Sequence, residues 1–233
     1  MTMRVLTAAI LMSLTLGFPP AMAADADDAP GACTAQNPVL CPIADRPGLP
    51  RVLLIGDSVS MAYTFPVRNL LKDVANVHRV PRNGGSTVIG LGNLDDWLGA
   101  GKWDVIHVNF GLHDAKFTRF GSPAVDLDTY TRNVKVILDR LKATGARVIW
   151  ATTTPVPAHV EPPTSHWADI DTYNAAATRV AKEDGVAIDD LYSVVKPRED
   201  ELQRPANVHF KPGGSDVLAH AVADSIKAQL EAK

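Results

Sequence analysis

Ser58 and His209 are a serine and a histidine placed where a nucleophile and its base could meet. Ser58 follows Gly56 and Asp57 directly after an apolar run at 52–55, and His209 lies in a turn-rich segment before the last amphipathic stretch. A serine hydroxyl needs a base within hydrogen-bonding distance, and imidazole titrates near neutral pH. The pair predicts acyl transfer through a covalent intermediate. The alternative is that Asp57 or Ser58 only caps the following helix.

The elements that must position these two residues follow an alternating β-α pattern. Short aliphatic runs are typical of strands, and longer stretches between them have the apolar spacing of helices. Continuous apolar strands favour a parallel sheet covered on both faces, so we expect a three-layer α/β/α sandwich of the flavodoxin-like class, with ligands bound at the carboxyl ends of its strands. The predicted strands are 52–55, 75–80, 105–110, 148–151 and 186–188, and the predicted helices are 59–72, 91–98, 128–143, 169–183 and 214–232.

Composition and charge narrow the class of protein. The chain has 233 residues, of which 46% are hydrophobic and 21% charged, values typical of one globular domain. The formal charge is −3, and the basic residues are scattered, so no positive field could hold a nucleic acid. We therefore expect no nucleic-acid partner.

The N-terminus has the features of an exported protein. Arg4, an apolar stretch and a small-residue cleavage site predict a signal peptide at 1–23, and the apolar stretch is short for a permanent membrane anchor. Residues 24–50 have no hydrophobic period and predict a linker before a domain at 51–233. Cys33 and Cys41 could pair there in an oxidising compartment, or remain free thiols. We expect a periplasmic or secreted protein without stable membrane insertion.

Together these segments resemble the SGNH (GDSL-like) hydrolase family, from 51 to the C-terminus. The Gly-x-Ser-x-Gly elbow of the α/β-hydrolases is absent from the sequence. The resemblance implies that Ser58 is the nucleophile and His209 the base. It also implies that a glycine after the second strand donates its backbone N–H to the oxyanion, which assigns this role to Gly85, with Gly84 as the nearby alternative. A tight turn without catalytic duty would have the same Asn-Gly-Gly sequence.

Two positions depart from the family pattern. Where the family has Gly-x-Asn-Asp, with the asparagine donating to the oxyanion, this chain has His113 in the asparagine's place, and Asn109 is the fallback donor. Where the family has an aspartate three residues before the catalytic histidine, this chain has Ala206, and Asn207 is the nearest polar candidate to orient His209. An amide oxygen can accept the ring N–H but carries no full charge, so we expect a weakened triad or a Ser-His dyad.

The resemblance implies an esterase that acts through an acyl-enzyme on small acyl esters, such as O-acetyl groups of carbohydrates, without a cofactor. A non-catalytic carbohydrate-binding protein on the same fold and an acyltransferase are the alternatives. His159, His166 and Asp169 lack the compact spacing of a metal site, so no metal is expected. Trp167, in the Pro-rich stretch 154–166 and its flank, is the best candidate for a sugar contact.

Overall fold

A computed structural model of the chain describes residues 33–162 and 165–232. The predicted signal peptide and residues 24–32 of the predicted linker lie outside the described residues.

The core of the fold is one sheet of five parallel strands, which confirms the predicted fold class. The strands pair in the order β2-β1-β3-β4-β5. The order in which the strands are added changes side at β1, because β2 lies on one side of it and β3 on the other. Such a switch point opens a crevice at the carboxyl ends of the strands. The strands are β1 (Arg51–Ile55), β2 (Asn76–Arg79), β3 (Val105–Asn109), β4 (Arg147–Ala151) and β5 (Ala187–Asp189).

Helices cover both faces of the sheet because the central strands are apolar on both sides. One apolar core joins the sheet to α2, α4 and α5, and the other joins it to α1, α6, α7 and α8. The helices are α1 (Ser58–Leu70), α2 (Thr87–Leu98), α3 (Leu112–Ala115), α4 (Leu127–Ala143), α5 (Ile170–Glu183), α6 (Leu191–Val195), α7 (Glu199–Leu202) and α8 (Pro212–Glu231).

The structure differs from the predicted helices in length and number. Helix α2 begins at Thr87, four residues before the predicted start, and the short helices α3, α6 and α7 were not predicted. Asp114, far along the chain, accepts the backbone N–H of Thr87 and so provides the cap that the local sequence lacks. Helices of four or five residues are too short to produce a detectable apolar period.

The segment before β1 is packed onto the domain. Cys33 and Cys41 form a disulfide, and a short 3-10 helix at Pro38–Leu40 buries the side chains of Val39 and Leu40. The side chain of Asn76 exchanges hydrogen bonds with the backbone of Arg46. The buried side chains of Val39 and Leu40 and the hydrogen bonds of Arg46 therefore attach part of the predicted linker to the domain. Among the described residues, no helix combines the length and the apolar character of a membrane span.

Candidate active site

Ser58 is positioned by the turn from β1 into α1. Asp57 is the N-cap of α1 and accepts the N–H of Val59 at 2.9 Å, while the hydroxyl of Ser60 donates to the carbonyl of Asp57 at 2.9 Å. Ser58 is the first helical residue, so its backbone N–H has no acceptor within the helix and lies at the positive end of the helix dipole.

His209 is brought to Ser58 by the loop between α7 and α8. Gln203 and Phe210 form an antiparallel bridge across the base of this loop, and Arg204 N–H donates to the carbonyl of His209 at 2.9 Å. The Nε2 atom of His209 lies 2.9 Å from Ser58 Oγ, although the residues are 151 positions apart. The structure thus places together the two residues whose pairing the sequence predicts.

Asn207 fixes the tautomer of the His209 ring. Its Oδ1 atom lies 2.8 Å from His209 Nδ1 and also accepts the backbone N–H of His209 at 2.8 Å. Because the atom that accepts the backbone N–H must be the amide oxygen, Nδ1 carries the ring proton. The lone pair of Nε2 therefore faces the Ser58 hydroxyl, as a general base requires.

Ala206 lies at the position where the family pattern has an aspartate, so this position carries no carboxylate. Within the described part of the chain, the ring of His209 has Ser58 and Asn207 as its hydrogen-bond partners. The backbone of Ala206 has φ of 52°, a left-handed conformation that is uncommon for alanine, and its carbonyl accepts the N–H of Glu161 at 2.9 Å. An amide thus occupies the place behind the histidine that a carboxylate takes in a full triad.

Gly84 and Gly85, the glycines after the second strand, follow one another beside the turn that carries Ser58, and the backbone N–H of each has an acceptor. The N–H of Gly84 donates to the carbonyl of Gly56 at 2.9 Å, and the N–H of Gly85 donates to Asn83 Oδ1 at 3.0 Å. A Cβ on Gly84 would lie 2.7 Å from the carbonyl oxygen of Gly56, so only glycine allows this approach.

His113 and Asn109 occupy different environments. His113 is in α3, with its side chain about 10% exposed, and its Nε2 lies 4.0 Å from Asp57 Oδ2. The ring is thus next to the residue that precedes Ser58. Asn109 is buried at the end of β3, where its Nδ2 donates to the carbonyl of Ala151 at 2.9 Å. This contact ties β3 to β4 and gives Asn109 a structural role.

The sequence matches the GDSL-like lipase/acylhydrolase family over residues 54–217, well over half of the chain. The chain belongs to this family. The predicted SGNH-type serine esterase is thereby confirmed as a class, and the matched region contains both Ser58 and His209.

Solved structures of GDSL-like enzymes and related esterases share the fold. A lipase/acylhydrolase from Enterococcus faecalis is 20% identical, with a TM-score of 0.66, over 78% of this chain and 97% of that one. An acetyl xylan esterase is 16% identical, with a TM-score of 0.64, over 76% and 99% of the two chains. An acetylxylan esterase from Geobacillus stearothermophilus is 18% identical, with a TM-score of 0.62, over 76% and 94%. No curated protein matches the sequence.

Asp114, which follows His113, caps the N-terminus of α2. Its carboxylate is fully buried and accepts the backbone N–H of Thr87 at 3.0 and 3.1 Å, together with the Thr87 hydroxyl. Burial raises the pKa of the Asp114 carboxyl from 3.8 to about 6, although the hydrogen bonds from Thr87 lower it in part. Asp114 thus links α3, which carries His113, to the start of α2, which follows Gly84 and Gly85.

Arg79 is a residue of the site that the sequence analysis missed. It is the last residue of β2 and only 8% exposed, and its guanidinium donates to the carbonyls of Gly56 and Asp57 and to the hydroxyl of Ser60. Arginine is rarely buried unless it is paired, so a charged residue inside a predicted apolar strand was the signal that could have revealed it.

His107 and His159 have carboxylate partners rather than Ser58. His107 is buried in β3 and binds Asp189 at 2.9 Å, and His159 is exposed and contacts Glu161 at 3.1 Å. Among residues 33–162 and 165–232, no group of three histidine, cysteine, aspartate or glutamate side chains is placed to hold a metal ion.

A cavity of about 380 Å³ lies between the loop after β4, which we call the rim loop (152–162 and 165–169), and helices α5 and α6, and we call it the rim cavity. The rim loop forms hydrogen bonds with α3 and with the segment that precedes His209. Trp167 Nε1 donates to the carbonyl of Leu112, next to His113, at 2.9 Å. Gln203 Nε2, at the end of α7, donates to the carbonyl of Pro155 at 2.8 Å. Side chains lining the cavity include His166, Trp167, Asp169, Asp171, Tyr192 and Lys196.

Proposed function

We propose that this esterase acts through an acyl-enzyme in which Ser58 is the nucleophile and His209 the general base. The observation that carries the proposal is the continuous contact from Ser58 Oγ to His209 Nε2 and from His209 Nδ1 to Asn207 Oδ1, at 2.9 and 2.8 Å. Each atom has the donor or acceptor role that the chemistry needs.

The reaction proceeds in two steps, acylation of Ser58 and hydrolysis of the acyl-enzyme. Ser58 Oγ attacks the ester carbonyl carbon while its proton moves to His209 Nε2, and the collapse of the tetrahedral intermediate breaks the bond to the alcohol, which takes that proton. Water then donates a proton to His209 and attacks the acyl carbon, and the proton returns to Ser58 as the acid leaves. Asn207 holds the ring in place, but with a dipole rather than a charge behind the imidazolium.

We assign the oxyanion to donors around the nucleophile turn. The backbone N–H of Ser58 is free of any helical acceptor, the ring of His113 lies beside Asp57, and the N–H of Gly85 is available once it leaves Asn83. Removing one such donor from a hydrolase costs about 100-fold or more in kcat. His113 donates through a ring N–H whose presence depends on its tautomer, unlike the asparagine of the family pattern.

We propose that the substrates are small acyl esters of polar alcohols, with O-acetyl groups on carbohydrates as the first class to test. The rim cavity falls in the usual size range of small-molecule pockets, about 300–1,000 Å³, and its lining mixes apolar side chains with charged ones such as Asp169, Asp171 and Lys196. Ser58 and His209 do not line it. Two structural neighbours are described as acetyl xylan esterases. The likeness to them extends to the fold alone, so the charged side chains beside the rim loop are what favour a polar alcohol here.

We further propose that the enzyme is exported. The leader predicted at 1–23 and the disulfide between Cys33 and Cys41 point to the same compartment, since disulfides persist in oxidising environments such as the periplasm. Cell fractionation that finds the full-length chain in the cytoplasm, with free thiols, would contradict this.

The test is hydrolysis of p-nitrophenyl acetate and of an acetylated xylan by the wild type and by Ser58→Ala. We expect Ser58→Ala to lose at least about 1,000-fold in kcat, because the nucleophile is gone while the binding groups remain. Ser122→Ala, an exposed loop serine, is the matched control and should retain activity. Turnover by Ser58→Ala at the wild-type rate would refute the serine mechanism. Acetylated product in the presence of a sugar acceptor would identify acyl transfer in place of hydrolysis.

A further inference from the structure

We propose that Arg79 is a positioning residue for the reaction, which sets the nucleophile turn and the glycine loop in one geometry. The inference rests on the proposed function of Ser58. Arg79 does not touch the reacting atoms, and it acts through the backbone on either side of them. The family motifs at Ser58, Gly85, His113 and His209 do not include this arginine.

The contacts of Arg79 surround Ser58 on the chain. Nη2 donates to the carbonyl of Gly56 at 2.8 Å and to that of Asp57 at 3.2 Å, and Nη1 donates to the hydroxyl of Ser60 at 2.5 Å. The guanidinium therefore binds the two residues before Ser58 and the second residue after it. Their positions determine where the Ser58 hydroxyl and backbone N–H point.

The same arginine connects the two loops that meet at the proposed oxyanion site. The carbonyl of Gly56 accepts from Arg79 and also from the N–H of Gly84 at 2.9 Å. Arg79 is the last residue of β2, so the chain runs from it directly into the glycine loop, and its backbone lies beside Leu54 of β1. A shift of the guanidinium would move both the Ser58 turn and Gly85.

Only arginine can make this set of contacts. Its planar fork donates several N–H groups in fixed directions, whereas lysine offers one compact ammonium on a flexible chain. Burial lowers the pKa of Arg79 to about 10, so the side chain is still a cation at neutral pH. Asp57, whose carboxylate is also buried, supplies opposite charge in the same region. Burying a cation is costly, and leaving its acceptors unpaired is costly too.

The test compares Arg79→Lys and Arg79→Met with the wild type, using p-nitrophenyl acetate and the rate at which a fluorophosphonate labels Ser58. We expect kcat to fall about 100-fold in Arg79→Met and about 10-fold in Arg79→Lys, with KM changed less than about three-fold, because misplacing reacting groups by about 1 Å lowers the rate without removing substrate contacts. The labelling rate should fall in the same order. Partial rescue by lysine is the signature of positioning.

Arg68→Met is the matched control. Arg68 also joins α1 to β2, through a 2.9 Å hydrogen bond from its Nε to the carbonyl of Val77, but at a distance from the nucleophile turn along both elements. It should lose stability while keeping kcat and the labelling rate. A folded Arg79→Met enzyme with wild-type kcat would overturn the proposal. So would failure of both Arg79 variants to fold, since Arg79 would then be a stability residue. Activity that survives in Ser58→Ala would instead refute the proposed function itself.

Discussion

The two residues of the proposed catalytic pair are held in different ways. Ser58 lies in a turn bound by groups from other elements, the guanidinium of Arg79 on β2 and the N–H of Gly84. His209 is oriented by a residue of its own loop, Asn207, two positions away. The position of the serine therefore depends on the assembled sheet, while the orientation of the histidine depends on one short turn. We expect changes at Arg79 to alter both stability and rate, and changes at Asn207 to alter mainly the rate.

Asn207→Ala removes the side chain that orients His209, and the loss of rate we expect is as large as that for Arg79→Met. The His209 ring loses its only partner on Nδ1 among the described residues, so the tautomer and the orientation are no longer fixed. We expect kcat/KM to fall about 100-fold, within the range of general acid-base contributions. The unfolding midpoint in urea should stay close to that of the wild type. Asn93→Ala, which removes an amide on the surface of α2, is the control, and an equal loss in that variant would contradict the assignment.

Asn207→Asp gives His209 the negatively charged partner that the Asn207 amide does not provide. A carboxylate at this place would accept the same ring N–H and stabilise the imidazolium that forms during the reaction. We expect kcat/KM to rise about ten-fold. The acid limb of its pH profile should move to higher pH, because a nearby negative charge raises the pKa of an imidazolium. A lower rate with an unmoved profile would show that the amide is already the optimal partner.

Asp114→Asn is expected to have a smaller effect, which appears in stability rather than in rate. The pKa of the Asp114 carboxyl is raised from 3.8 to about 6 in the folded protein, so the folded state binds this proton more tightly than the unfolded state. Its contribution to stability is fully present below about pH 4 and is lost as the pH rises through about 6. The variant should remove this part of the pH dependence, measured as urea midpoints from pH 4 to 7.

Asp126→Asn supplies the contrast for that measurement. Hydrogen bonds from Thr129 lower the pKa of Asp126, an exposed cap of α4, so its contribution is lost as the pH falls rather than as it rises. The urea midpoints are extended down to about pH 2 for this variant, because the lowered pKa places the titration of Asp126 below 3.8. Over that wider range, the contributions of Asp114 and Asp126 are expected to have opposite slopes. The same slope in both would show that burial does not set the titration of Asp114.

The fold could be predicted because it depends on local patterns, and the proposed pair is assigned from its motifs and the resemblance to the family. Apolar runs define the strands, Gly56-Asp57-Ser58 follows the first of them, and His209 lies in the loop before the last helix. Arg79 could not be assigned in this way, since its partners are about 20 residues away and its burial depends on the packing of α1 against β2. The N–H of Gly85 is a similar case, because its hydrogen bond depends on the rotamer of Asn83. Sequence patterns locate the reacting groups but not the side chains that position them.

Ala206 has a consequence for how this site could change by mutation. Its left-handed backbone, with φ of 52°, is a conformation that aspartate, asparagine and glycine adopt more readily than alanine. The loop thus keeps a backbone suited to the residue that the family pattern places there. Aspartate at position 206 would suit this main-chain path, so a single substitution would place a carboxylate where the family pattern has it. The amide that orients His209 and a carboxylate at 206 could then be compared on one backbone.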